Sequence, residues 1–171
     1  RFALTVVKNG DEWPSNGAQK KIIETFYGGF NASPKYGATS TGYYLKKYVD
    51  GAAVTTADNQ VTRRHTWIIF RLGEFYLDYA EAAFNATGSA NDKTFGLSAN
   101  EAINMLRNRA DIMLPESKED GAAWVERYER ERLVELAFEN HRFWDVRRWK
   151  KGAEYFKDVV VANISAEKQL T

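Results

Sequence analysis

The sequence predicts a mainly α-helical protein. A tetratricopeptide-like helical hairpin is followed by further helices and preceded by a loop-rich N-terminal region containing short strands. Three observations carry this reading. Apolar residues recur at helical spacing from Trp67 onward. A Ser-x-x-Glu capping box, Ser98 to Glu101, opens a second helix. Seven of the twelve glycines and two of the three prolines fall between residues 8 and 66, where turns and short strands are therefore expected. The organisation that follows is a loop-rich region over 1–66, a helical core over 67–158 and a tail over 159–171.

At the start, Phe2, Leu4 and Val6 alternate with Ala3, Thr5 and Val7, which predicts a strand; Tyr43, Leu45 and Lys47 alternate with Tyr44, Lys46 and Tyr48 and predict another. From Trp67, the residues Ile69, Leu72, Tyr76, Tyr79, Ala80 and Ala83 share one helical face, with Arg71, Glu74, Asp78 and Glu81 opposite; Thr87-Gly88 stops the helix. The next helix turns Ala102, Ile103, Leu106 and Ala110 toward it, sets Arg107 and Arg109 to the side, and is closed by Pro115. Leu72-Gly73-Glu74-Phe75-Tyr76 matches the L-G-x-x-Y core of the tetratricopeptide repeat, with Gly73 permitting close approach to Ala102, Ile103 and Leu106. One clear copy is visible, whereas a solenoid needs about three. A third helical region is predicted from Ala122 to Asn140 and a fourth from Arg142 to Lys150, ended by Gly152.

Charge narrows the functions. With 24 basic and 23 acidic residues the formal net charge is +1, so nothing pulls the whole chain toward nucleic acid or acidic membranes. The absence of cysteine excludes disulfides, thiolate metal sites and a cysteine nucleophile. No apolar run reaches the roughly 18 residues that span a bilayer. The densest segment, YERERLVELAFENHRFWDVRRWKKG, mixes seven basic with five acidic residues. There Leu133, Leu136, Ala137 and Asn140 share a face that Phe143, Trp144 and Trp149 extend, so most of these aromatics are expected in the core. Arg132, Arg142, Arg147 and Arg148 are then placed to cross-link helices through Glu131, Glu135, Glu139 and Asp145.

Five blocks carry a family resemblance in order: RFALTVVKNGDEW, TGYYLKKYVD, RLGEFYLDYAEAAFN, SANEAINMLRNRADIMLP and ERERLVELAFENHRFWDVRRWKKG. Together they resemble the SusD/RagB family of outer-membrane glycan-capture lipoproteins. Asn140 stands where that family commonly has glycine, and Val146 where it commonly has leucine. The resemblance implies a SusD-like fold and the C-terminal part of a longer protein, whose lipoprotein signal and anchoring cysteine lie upstream. It also implies a non-catalytic cell-surface protein of the outer membrane that binds an oligosaccharide or polysaccharide. The partner implied is a TonB-dependent, SusC-like transporter, and membrane association would run through a lipid anchor absent from this chain.

Sugar rings lie against aromatic faces, and aromatics on loops suit this better than aromatics on helices. Trp13, Tyr27 and Tyr36 sit among Gly, Asn and Ser and are the expected ligand-binding residues, Trp13 in the turn Asn9 to Pro14. The competing role for each is to pin its loop to the helical core, a role that weighs more for Tyr43 and Tyr44. No H-E-x-x-H, phosphate loop or G-x-S-x-G occurs, and neither His65 nor His141 has a metal-ligand partner in sequence. No catalytic residue, metal or cofactor is expected. The alternatives are a tetratricopeptide-like protein-interaction module and a peptide-binding member of the same family.

Overall fold

The computed structural model describes residues 1–13, 21–55, 60–158 and 160–167. The chain divides into two units: Phe2–Thr66 with Gly152–Thr171, and Arg1 with Trp67–Lys151. In chain order the described elements are α1 (Phe2–Thr5), β1 (Val6–Val7), β2 (Tyr44–Leu45), β3 (Val54–Thr55), β4 (Gln60–Val61), α2 (Leu72–Thr87), α3 (Ala99–Arg107), α4 (Gly121–Glu135), α5 (Arg142–Arg148) and α6 (Gly152–Tyr155).

The first unit is held by short antiparallel pairings, Val6 opposite Leu45 and Val7 opposite Tyr44, with a second pair between β3 and β4. The strand expected from Phe2 starts only at Val6, and Phe2–Thr5 is a single helical turn. Its partner runs out: Thr5 O accepts the N–H groups of both Lys46 and Lys47, and Tyr48 at φ 72° bends the chain out of the ladder. Pro14, in the expected Trp13 turn, lies outside the described residues.

The second unit is helical, and α2 and α3 form the expected hairpin. Gly88, at φ 75°, ends α2 by returning its N–H to Phe84 O at 2.8 Å. The capping box at Ser98 is complete: its hydroxyl accepts from Glu101 N–H at 3.1 Å, and Glu101 Oε2 accepts from Ser98 N–H at 2.9 Å. The long loop between the helices is tied by side chains. Asp120, the N-cap of α4, accepts from Ala90 N–H and from the Ser89 hydroxyl, both at 2.7 Å.

α2 begins at Leu72 rather than Trp67, because Arg71 sits in extended backbone with its guanidinium held by Glu135 and Glu139. That anchoring sets the helix phase. The buried stripe is Gly73, Glu74, Leu77, Ala80 and Ala83, while Ile69 and Leu72, expected on it, are exposed. Gly73 does not face α3; a Cβ there would strike the Arg71 guanidinium and come within 3.2 Å of Glu135 Oε1. The glycine makes room for an ion pair. α3 ends at Arg107, three residues early, since Arg107 turns inward to donate to Pro115 O at 2.7 Å and to Glu131 at 2.6 Å. Ala110 is accordingly exposed.

The core of this unit is an aromatic ladder. Trp124 stacks on Phe84 at 4.3 Å and on Tyr128 at 5.1 Å, and Tyr128 meets Trp149 edge-on at 6.3 Å. Trp144 and Phe143, expected in the core, are exposed at 62% and 45%. The reason is a break in phase. Phe138 and Asn140 take positive φ, 63° and 67°, between α4 and α5, so α5 turns Asp145 and Val146 inward instead. Asparagine tolerates that left-handed region better than most residues. Nor does α4 bury the leucine stripe as expected: Leu136 is buried, but Leu133 is exposed, and the inward face carries Trp124, Tyr128, Glu129, Glu131, Arg132 and Glu135. Gly152, expected as a stop, opens α6.

Arginines meet these buried carboxylates. Arg132 Nε reaches Asp145 at 2.7 Å and its Nη1 reaches Asp78 at 2.6 Å; Arg148 Nε takes the other Asp145 oxygen at 3.0 Å. Glu81 accepts from Arg148, from the Tyr128 hydroxyl and from Trp149 Nε1. Glu131 lies between Arg1 and Arg107, and Glu135 between Arg71, Arg109 and Arg1. Arg147 instead covers the Phe143 ring at 4.6 Å. Burial alone would raise the Glu135 and Glu81 carboxyls, yet the surrounding donors hold both below the ordinary value.

Trp124→Ala is expected to destabilise by about 3–5 kcal/mol, and Trp144→Ala by less than about 1 kcal/mol, in chemical denaturation. Acid should also weaken the fold. The Glu119 carboxyl is held down at about 2 by its own and the Lys118 N–H and by Arg127, and Glu81 and Glu135 are lowered too. Groups depressed in the folded state stabilise it above their ordinary pKa, near 4.5 for glutamate, and lose that contribution as pH falls toward the folded value. Denaturation midpoints should therefore be level above about pH 5 and fall steadily below about 4.5.

Candidate functional site

Two exposed aromatics of the first unit, Tyr27 and Phe30, sit on one loop, Glu24 to Asn31, whose closure follows from its sequence. Asn31 Oδ1 accepts from Glu24 N–H at 3.1 Å while Asn31 N–H returns to Glu24 O at 2.9 Å, so the two residues clamp the loop base. Gly29 fits inside it because a Cβ would come within 2.5 Å of Glu24 O. Lys35 Nζ caps the turn, donating to Gly29 O at 2.9 Å. Folded in this way, the loop leaves Tyr27 and Phe30 exposed at 75% and 77%.

Beside the loop, the chain around Trp13 is held by antiparallel pairing with residues 21–23. Trp13 N–H donates to Lys21 O, Ile23 N–H to Asp11 O and Gly10 N–H to Ile23 O, all within 2.9 Å. The half-buried Trp13 indole meets the Tyr44 ring edge-on at 6.3 Å. Tyr44 is fixed at its far end, since its hydroxyl accepts from Thr39 N–H at 3.1 Å and donates to Asn31 O at 3.0 Å. Trp13, Phe30, Tyr44, Asn31, Ile22, Ile23 and Lys21 line a depression of about 450 Å³.

The chemistry of this depression is apolar and aromatic with a few polar groups at its edge. Nδ2 of Asn31 has no acceptor among the described residues, so it remains a directional donor. Among the described residues Lys21 is the charged lining residue, and no carboxylate lines the depression. An apolar, aromatic concavity with a few convergent polar groups is the usual form of a small-molecule binding site. Among the described residues there is no group of three or more His, Asp or Glu that could hold a metal ion.

The three residues expected from sequence are not gathered in one place. Trp13 lines the depression just described. Tyr27 borders a separate one of about 430 Å³, with Thr25, Ser33, Gly42 and residues 162–166, where its N–H donates to Ile164 O at 2.8 Å. Tyr36 stands fully exposed and lines neither. Phe30 and Asn31 were not foreseen, although Gly28-Gly29-Phe30-Asn31 sets an aromatic among turn formers just as the sequence around Tyr27 does. Tyr44 ties loop to loop, through Thr39 and Asn31 of its own unit rather than to the helical core, and also presents its ring to the depression.

Among the described residues no helix is long and apolar enough to cross a membrane. No curated protein matches the chain. A SusD-like protein of Bacteroides fragilis NCTC 9343, known from its crystal structure, is similar to it, with a TM-score of 0.75 and 30% sequence identity. The match covers 90% of this chain but 28% of that one, so the chain spans a little over a quarter of its relative's length. The model of the SusD family matches residues 1–169, and by that match the chain belongs to the SusD family.

Proposed function

We propose that this chain is the C-terminal part of a cell-surface lipoprotein of the outer membrane that captures glycan for a TonB-dependent, SusC-like transporter. The observation that carries this reading is the aromatic depression of Trp13, Phe30 and Tyr44, with the Asn31 amide at its edge, in a member of the SusD family. An aromatic floor takes the C–H face of a sugar ring, and an amide donor beside it selects hydroxyl direction. Tyr27, at the separate depression, and the fully exposed Tyr36 offer further aromatic faces to an oligosaccharide or a starch-like polysaccharide. The protein acts by binding, and the chemistry of breakdown belongs to other proteins.

The α2–α3 hairpin supports a second reading, a tetratricopeptide-like module that binds a peptide. Calorimetry on the full-length protein separates the two. Trp13→Ala is expected to weaken oligosaccharide binding by about thirtyfold, from roughly 2 kcal/mol for a stacking aromatic, with little change in melting temperature. Trp144→Ala should leave that affinity unchanged. Wild-type oligosaccharide affinity in Trp13→Ala, or binding of peptides and no oligosaccharide, would overturn the glycan reading.

A further inference from the structure

Before α2 the chain runs through Trp67-Ile68-Ile69-Phe70, four successive large apolar residues that are each more than half exposed. Leu72 and Phe75, in the first turn of α2, are exposed as well, and the Phe70 and Phe75 rings lie 6.2 Å apart. Water-exposed apolar surface of this extent on one short stretch is unusual for a protein that folds alone. The backbone adds a second anomaly. Among the described residues, Ile68, Ile69 and Phe70 neither donate nor accept a hydrogen bond. The segment thus combines uncovered apolar side chains with unpaired peptide groups, the condition that folded chains avoid.

The kind of cover follows from the pattern. Consecutive apolar residues rich in β-branched and aromatic side chains, with no polar alternation, mark a segment buried on both faces. A second copy pairing edge to edge would supply backbone hydrogen bonds but leave the same side chains uncovered on each face. A partner docking on one side would cover only half of them. Enclosure from both sides is what the interior of a larger fold provides. The matched Bacteroides fragilis protein has that larger fold, since this chain accounts for 28% of its length at a TM-score of 0.75.

We infer that Trp67–Phe70 is an internal segment of the complete SusD fold, enclosed by polypeptide of the same protein lying outside these 171 residues. The enclosing part contributes both an extended stretch that bonds the free peptide groups and apolar side chains on either side of the run. Arg71 makes this enclosure consequential for the helical unit. Its guanidinium is locked to Glu135 and Glu139 at 2.7–2.8 Å, so whatever fixes residues 67–70 also fixes the entry to α2. The inference rests on family membership and not on the glycan reading.

Hydrogen exchange read by mass spectrometry on the wild-type, full-length protein tests it without any substitution. The amides of residues 68–70 should exchange about a hundredfold or more slower than an unstructured peptide, at every protein concentration and with no partner added. Exchange at the free-peptide rate would overturn the inference. So would protection that grows with protein concentration, which would assign the surface to a second copy, or protection that appears only when the transporter is added.

Discussion

The helical unit depends on a buried lattice of arginines and carboxylates more than on any apolar stripe. Glu131, Glu135 and Asp145 are each nearly inaccessible, and each is paired with two or more guanidinium groups, at least one of them on another segment. Taking charges out of water is expensive, and planar, multiply bonded arginine pairs are the arrangement that recovers most of that cost. The return is geometric. A guanidinium satisfied by two carboxylates on different segments admits few relative positions of those segments, whereas leucines sliding on leucines admit many. Arg71 sets where α2 begins, Arg107 where α3 ends, and Arg132 joins α4 to α5 and to Asp78 of α2.

Against that scaffold, the aromatic residues divide into two groups with different work. Phe84, Trp124, Tyr128 and Trp149 form a packed ladder inside the helical unit. Phe30, Tyr27 and Tyr36 are presented to solvent by loops held through backbone and amide hydrogen bonds. Such loops need no large core of their own, because the Glu24–Asn31 clamp and the Tyr44 hydroxyl fix them locally.

What was legible in the sequence was local chemistry. Ser98 and Glu101 form their capping box, and Gly88 closes α2, because each answers to neighbours within four residues. The SusD resemblance was legible too, through motifs spread over the chain. What failed was inference from apolar periodicity alone. Trp144 extends the Leu133–Leu136 face only if the phase of one helix carries over into the next, and two left-handed residues between them, Phe138 and Asn140, reset it. Gly73 reads as a packing glycine in a repeat motif, yet what it spares is the pair of Arg71 with Glu135, whose carboxylate lies 62 residues away in sequence, which no local pattern reveals. Ile69 looked buried for a related reason: its apolar character is real, but the helix it was assigned to starts after it.

The central claim is that ion pairs, not apolar contacts, register the helices, and a double-mutant cycle on Arg132 and Asp145 tests it most directly. Arg132→Met and Asp145→Asn keep volume while removing charge, so the cycle isolates their interaction in the full-length protein. Each single change should be strongly destabilising and the coupling energy at least about 2 kcal/mol, the double variant being far less damaged than the two singles combined. A coupling within about 0.5 kcal/mol of zero, the range of independent sites, would contradict it.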